Sequence, residues 1–178
     1  MEHELIVENE FSYIESGEGR PIVILHGLMG KLSNFKGVYE YFPKKNYKVV
    51  IPELPIEKVS ILNTNVKTFA KYVFDFVKFK KLSDIILVGN SLGGHVALLF
   101  TRDYPELVKG LVITGSSGLY ERSMIGDGYP KRSNYEYIKS KTEEVFYDPA
   151  TATKELVDDI FKTVNNRGKV IKVLALAK

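Results

Sequence analysis

The chain has 178 residues, 44% hydrophobic and 26% charged, proportions that suit one globular domain with a sizeable core. Its 25 basic and 22 acidic residues leave a net charge of +3, without the basic block that nucleic acid or an anionic membrane would attract. The absence of cysteine excludes disulfides, thiolate metal sites and a cysteine nucleophile.

The opening residues, Met1 to Leu5, combine neither the basic nor the apolar stretch of a leader. No apolar run approaches the ~18 residues of a spanning helix, so a cytoplasmic protein away from membranes is the expectation. Leu5–Val7 and Phe11–Ile14, separated by Glu8-Asn-Glu10, read as an antiparallel hairpin. Pro21 to Leu25 is an unbroken apolar run ending in His26-Gly-Leu-Met-Gly30, and a helix is expected around Phe35–Phe42. Lys48 to Ile51 gives a third strand, closed by Pro52-Glu-Leu-Pro55.

Val66, Phe69, Ala70, Val73, Phe74 and Val77 share one helical face, with Lys67, Lys71, Asp75 and Lys78 opposite and Asn63 or Thr64 as the cap. Ile85 to Val88 is a short apolar run, expected to be buried on both faces as in parallel sheets. Gly89-Asn-Ser-Leu-Gly93 follows at once, and then a helical segment with Val96, Leu99 and Phe100 in register. Leu111 to Ile113 makes another strand, ending in Thr114-Gly-Ser-Ser-Gly118. Strands alternating with helices call for an α/β fold: a mainly parallel sheet with an N-terminal antiparallel hairpin and helices on both faces. No internal repeat or low-complexity tract interrupts it.

From Gly118 to Tyr137 the chain reads as irregular. Ser140-Lys-Thr-Glu143 fits a capping box before a short helix, and Asp148-Pro149 the start of the next, with Ala152, Leu156, Ile160 and Val164 on one face. A third helix begins near Lys169, carrying Val170, Val173, Leu174 and Ala177.

Two motifs carry chemistry. A bare G-x-S-x-G arises by chance in roughly one chain of this length in twenty, so its weight comes from the strand before it and the helix after it. That context makes a nucleophile elbow, in which a tight turn holds Ser91 in strained backbone angles and glycines avoid collision with strand and helix. The second motif is His26-Gly-Leu-Met-Gly30. A tetrahedral acyl intermediate carries a negative oxygen, and preorganised backbone N–H groups stabilise it without reorganising. The amide of Leu28 can serve after the His-Gly turn, and the amide of Leu92, at a helix N-terminus directly after the serine, is its natural partner. The His26 ring is expected to prop its loop by hydrogen bonds. Ser116 and Ser117 also follow a strand but lack the glycine elbow.

This pairing of His26-Gly-Leu-Met-Gly30 with Gly89-Asn-Ser-Leu-Gly-Gly94 resembles the α/β-hydrolase fold superfamily, and within it the capped serine esterase, C–C hydrolase and haloperoxidase-like group. The resemblance implies a core over residues 1–118 and a truncated helical cap over 119–178. By that resemblance Ser91 is the nucleophile and Leu28 and Leu92 supply the oxyanion amides. Many relatives carry Asp-x-x-Gly-x-Gly-x-Ser after the third strand, where this chain has Pro52-Glu-Leu-Pro-Ile-Glu-Lys58.

A serine hydroxyl is a poor nucleophile until a base takes its proton, and the family order is serine, acid, histidine. After Ser91 the sole histidine is His95, in the helix leading away from the elbow; His3 and His26 precede the serine. The resemblance therefore implies that the last core strands, with the triad acid and histidine, lie outside this chain. A companion C-terminal polypeptide, or the remainder of the same protein, is the expected partner. The expected reaction is acyl transfer to water on a small or medium apolar substrate, roofed by Tyr120, Tyr129, Tyr135, Tyr137, Phe146 and Tyr147 where these do not simply pack the cap. Ester, thioester, lactone and vinylogous C–C substrates all suit this machinery. The competing reading is a non-catalytic ligand-binding or signalling module of the same fold. No metal-ligand spacing is present, and no cofactor is expected.

Overall fold

The computed structural model describes residues 4–28, 32–119 and 133–176, which fall into two compact units, 1–120 and 121–178. In the first unit the strands are β1 (Ile6–Glu8), β2 (Phe11–Ser16), β3 (Arg20–Leu25), β4 (Tyr47–Pro52), β5 (Ile85–Asn90) and β6 (Val108–Thr114). Its helices are α1 (Lys36–Tyr41), α2 (Val66–Phe79) and α3 (Leu92–Asp103). The strands form one sheet in the order β1-β2-β4-β3-β5-β6. β1 and β2 pair antiparallel, β2 joins β4 antiparallel, and β4, β3, β5 and β6 run parallel.

Alternation along the strands divides the core in two. Ile14, Ile22, Ile24, Val49 and Ile51 face Val38 and Tyr39 of α1 with the neighbouring Phe35 and Phe42. Phe11, Tyr13 and Val50 face the opposite way, onto Tyr72, Phe76 and Phe79 of the α2 side. Phe11 meets the rings of Tyr72, Phe76 and Phe79 at centroid distances of 5.2–5.4 Å, in tilted and edge-on geometries suited to aromatic rings.

The α2 helix lies where its apolar spacing places it, but its buried face turns slightly from the expected one. Phe76 is fully buried in place of Phe74, whose ring stacks instead on Tyr104 at 4.1 Å. Its cap is Asn65, one residue beyond the expected pair: the Asn65 Oδ1 accepts the Thr68 N–H at 2.9 Å.

Ile85 and Leu87 of β5 are buried, whereas Ile86 and Val88 are only half so. The expectation of burial on both faces is corrected here. The strand has α3 against it, while Ile86 and Val88 reach only the margin of the α1-side cluster. Val112, in register with Val88, is 48% exposed on β6, the edge strand.

At the other end of the sheet, Glu15 lies 3.1 Å from the ammonium groups of both Lys48 and Lys80. Burial pushes its carboxyl up, but the two lysines outweigh this and hold it below the ordinary value. The Tyr13 hydroxyl donates to Glu8 and accepts from Lys80, each at 2.7 Å, with the Lys80 ammonium 4.4 Å from the ring centroid.

The second unit contains α4 (Tyr135–Glu143), α5 (Lys154–Asn165) and α6 (Arg167–Leu176). The expected capping box at Ser140–Glu143 is corrected: these residues end α4, and the cap is Asn134, which accepts the Tyr137 N–H at 3.0 Å. Burial of Ile138 and Thr142, one turn apart, fixes this helix. Asp148 caps only a single turn, Pro149–Thr151, and Thr153 caps α5. Val157 is the residue that α5 buries most deeply, and the Tyr135 hydroxyl donates to Asp158 at 2.6 Å while its ring meets Phe161 edge-on. Among the described residues no helix is long and apolar enough to cross a membrane.

Candidate active site

The chain leaves β3, forms β4 on one side, and returns through α2 to form β5 on the other. β3 is thus a point where the strand order reverses, and crevices at the carboxyl ends of such strands are where open α/β sheets bind ligands. Residues 26–28 follow the end of β3 and Ser91 follows the end of β5.

Ser91 has φ 53° and ψ −119°, in the positive-φ region that costs an L-residue free energy. Its neighbours hold it there. The Ser91 N–H donates to the Thr114 carbonyl at 3.0 Å, and its own carbonyl accepts the N–H groups of Gly94, His95 and Ser117. The Asn90 side chain donates to the Thr114 carbonyl and hydroxyl at 3.2 and 3.0 Å. The loop leaving β6 therefore clasps the turn from the side.

Glycine is required where backbones cross. A Cβ on Gly93 would strike the Leu25 carbonyl oxygen and approach the His26 oxygen to 2.7 Å. One on Gly89 would approach the Gly94 Cα to 2.6 Å. One on Gly27 would sit 3.2 Å from the Ser91 Cβ, so the turn after β3 lies directly against the serine. The Ser91 hydroxyl has no hydrogen-bond partner among the described residues, and the residue is only partly buried.

Leu92 opens α3 and is 6% exposed; Leu28 is half-buried in the turn after β3. Neither amide donates to another described residue. The first amides of a helix lack intrahelical acceptors, which leaves Leu92 N–H available to an anion. Met29 and Gly30, the end of the first motif, lie outside the described residues, as do His3, Tyr120 and Tyr129.

His26 is 5% exposed. Its Nε2 accepts the Leu54 N–H at 2.9 Å, so the proton of the neutral ring is on Nδ1, which donates to the Gly27 carbonyl at 2.8 Å. Burial pushes the imidazole below its ordinary value, against the opposing pull of the Gly27 carbonyl and the Glu53 carboxylate. With Nε2 occupied, this ring has no lone pair to offer the Ser91 hydroxyl. His95 lies with its ring against Gly118, where a Cβ would come within 2.5–2.7 Å of it. The Ser116 hydroxyl donates to the Ser117 carbonyl at 2.7 Å and the Ser117 hydroxyl approaches the Ser91 carbonyl at 3.5 Å, which makes both part of the clasp. No group of three His, Asp or Glu residues among those described is arranged to hold a metal ion.

Sequence reasoning missed Asn90, Thr114 and Leu54. Asn90 fills an unconstrained place in its motif. Leu54 acts through its backbone N–H, to which no residue type is a guide.

A profile described as the alpha/beta hydrolase fold matches residues 20–144, and the chain belongs to that family. An alpha/beta hydrolase enzyme, MGS-MChE2, from the metagenome of lagoon sediments at Mar Chica, Morocco, superposes with a TM-score of 0.75 at 49% identity, covering 98% of this chain and 64% of that one. A 2-hydroxy-6-oxo-6-phenylhexa-2,4-dienoate hydrolase of Comamonas testosteroni is 26% identical, over 90% of this chain and 62% of its own length. The Mycoplasma pneumoniae protein named "Putative esterase/lipase 2" is 32% identical over 51% of this chain and 35% of its own length. The chain thus spans less than two thirds of each of these relatives.

Proposed function

We propose that the chain is the serine-bearing part of a hydrolase that transfers an acyl group to water. The Ser91 oxygen attacks the carbonyl carbon and loses its proton to a histidine outside the described residues. The carbonyl oxygen becomes an oxyanion held by the N–H groups of Leu28 and Leu92. Collapse expels the leaving group, which takes that proton, and water then releases the acyl group from Ser91 by the same steps.

The observation that carries this reading is the backbone of Ser91, forced to positive φ at the start of α3 with Gly27 packed against its Cβ. The hydrolase and esterase names of the relatives are consistent with it. A small or medium apolar acyl group is the proposed substrate, and a cytoplasmic setting belongs to the same proposal.

The base and its acid are proposed to come from a further segment, in a companion polypeptide or the same protein, that extends the sheet beyond β6. The half-buried Ile86 and Val88 beside the exposed Val112 form an apolar strip next to a strand edge that is unpaired among the described residues, surface that native proteins cover.

A fluorophosphonate probe on the complete protein tests the nucleophile. Labelling is expected in the wild type and lost in Ser91→Ala, with turnover falling by about 10⁶. Labelling that persists in Ser91→Ala overturns the assignment. A protein that binds small ligands but is never labelled is a binding module.

A further inference from the structure

The Leu54 N–H is donated to a side chain 28 residues earlier, tying the exit of β4 to the exit of β3 through one ring. We propose that His26 is a positioning residue, whose neutral ring latches the turn carrying the Leu28 amide to the segment Glu53–Ile56 and releases it when the ring takes a second proton. This inference rests on the hydrolase reading above.

Three observations define the latch. Nε2 must be unprotonated to accept from Leu54, and Nδ1 must be protonated to donate to Gly27, so only one tautomer of one charge state makes both bonds. The segment it grips is itself anchored: Glu53 N–H donates to the Ser12 carbonyl at 2.8 Å, Leu54 is 3% exposed, and Ile56 N–H donates to the Leu54 carbonyl at 2.8 Å. The turn it steadies is the one against the Ser91 Cβ. A displacement of Leu54 is therefore carried by the ring to Gly27 and on to the amide beside it.

A proton on Nε2 would set two donors, the imidazolium and the Leu54 N–H, against each other inside the core. Among the described residues Glu53 is the charged group whose field favours that proton, and its carboxylate is already drawn to Lys58 at 3.9 Å. The sign follows. The folded ring titrates below its ordinary value, so as pH falls the unfolded chain takes the proton first. The stabilisation from the neutral latch is complete above the ordinary imidazole value and is lost as pH drops through the folded one.

The test uses the complete protein with a short-chain p-nitrophenyl ester. His26→Phe removes both bonds and is expected to lower kcat by about 10², the scale of losing one oxyanion donor, while KM changes less than about threefold. His26→Gln, whose side-chain oxygen can accept from Leu54 and cannot titrate, is expected to recover at least about tenfold of that loss. Wild-type log kcat should fall at acid pH with a two-proton slope, one for the catalytic base and one for His26, and with a one-proton slope in His26→Gln. A glutamine variant no better than phenylalanine, or an unchanged slope, overturns the proposal. Nitrogen-15 spectra of the wild-type imidazoles decide it without turnover: an Nδ1–H tautomer at neutral pH supports the latch and an Nε2–H tautomer refutes it. If the wild type neither turns over the ester nor takes the fluorophosphonate, the hydrolase reading has failed, and the tautomer still decides the latch.

Discussion

Gly93 shows how tightly the elbow is built. Its Cα faces the Leu25 carbonyl oxygen with no room for a methyl group, and the obstacle is backbone that cannot rotate away. Gly93→Ala should destabilise by at least about 1–3 kcal/mol, the usual range for forcing extra volume into a packed site, read as a lower urea midpoint at unchanged m. At this scale much was legible. A serine between glycines, after a β-branched run and before a helix, leaves few backbone solutions, and the structure adopts the strained one. The ties made by Asn90, Thr114 and Leu54 were not legible, because they depend on which loops meet, and that is set by strands far apart in sequence.

Helix periodicity was a sound guide to the elements, and their ends were less so. α2 was readable because a 14-residue amphipathic stretch leaves one way to bury its apolar side. The cap moved by one residue because Asn63, Thr64 and Asn65 are all able acceptors, and only Asn65 has the extended backbone, with φ −152° and ψ 160°, that aims its oxygen at the Thr68 amide. Asn65→Ala should cost about 1 kcal/mol in thermal or urea unfolding, whereas Asn63→Ala should change little. In the second unit the misread capping box has a similar origin. Ser-x-x-Glu is a local pattern, and Asn134 captured the start of α4 six residues earlier because Ile138 and Thr142 had to face inward together.

The mainly parallel sheet followed from the alternation of apolar runs and helices, whereas its strand order came from the structure, and the reversal at β3 explains why residues 26–28 and 91 meet. That Ile86 and Val88 would be only half-buried was not legible, because a run of apolar residues does not reveal which side lacks a cover. If a further segment lies over the strip they form with Val112, Val112→Lys in the complete protein should cost about 3–5 kcal/mol, the scale of an uncompensated buried charge. In the 178-residue chain alone the same substitution should be nearly neutral, since Val112 is 48% exposed there. Thermal unfolding of both forms makes the comparison, and equal effects would leave the strip without an occupant.

The chain has eleven tyrosines and no tryptophan, so its ultraviolet emission comes from phenol rings alone. The ring of Tyr13, 1% exposed, donates a hydroxyl hydrogen bond to a carboxylate and lies under an ammonium, surroundings that quench phenol fluorescence. Melting of the β2–α2 layer frees that ring and brightens it. The difference in emission between the wild type and Tyr13→Phe, as each unfolds, isolates that ring and reports on the half of the sheet remote from the serine.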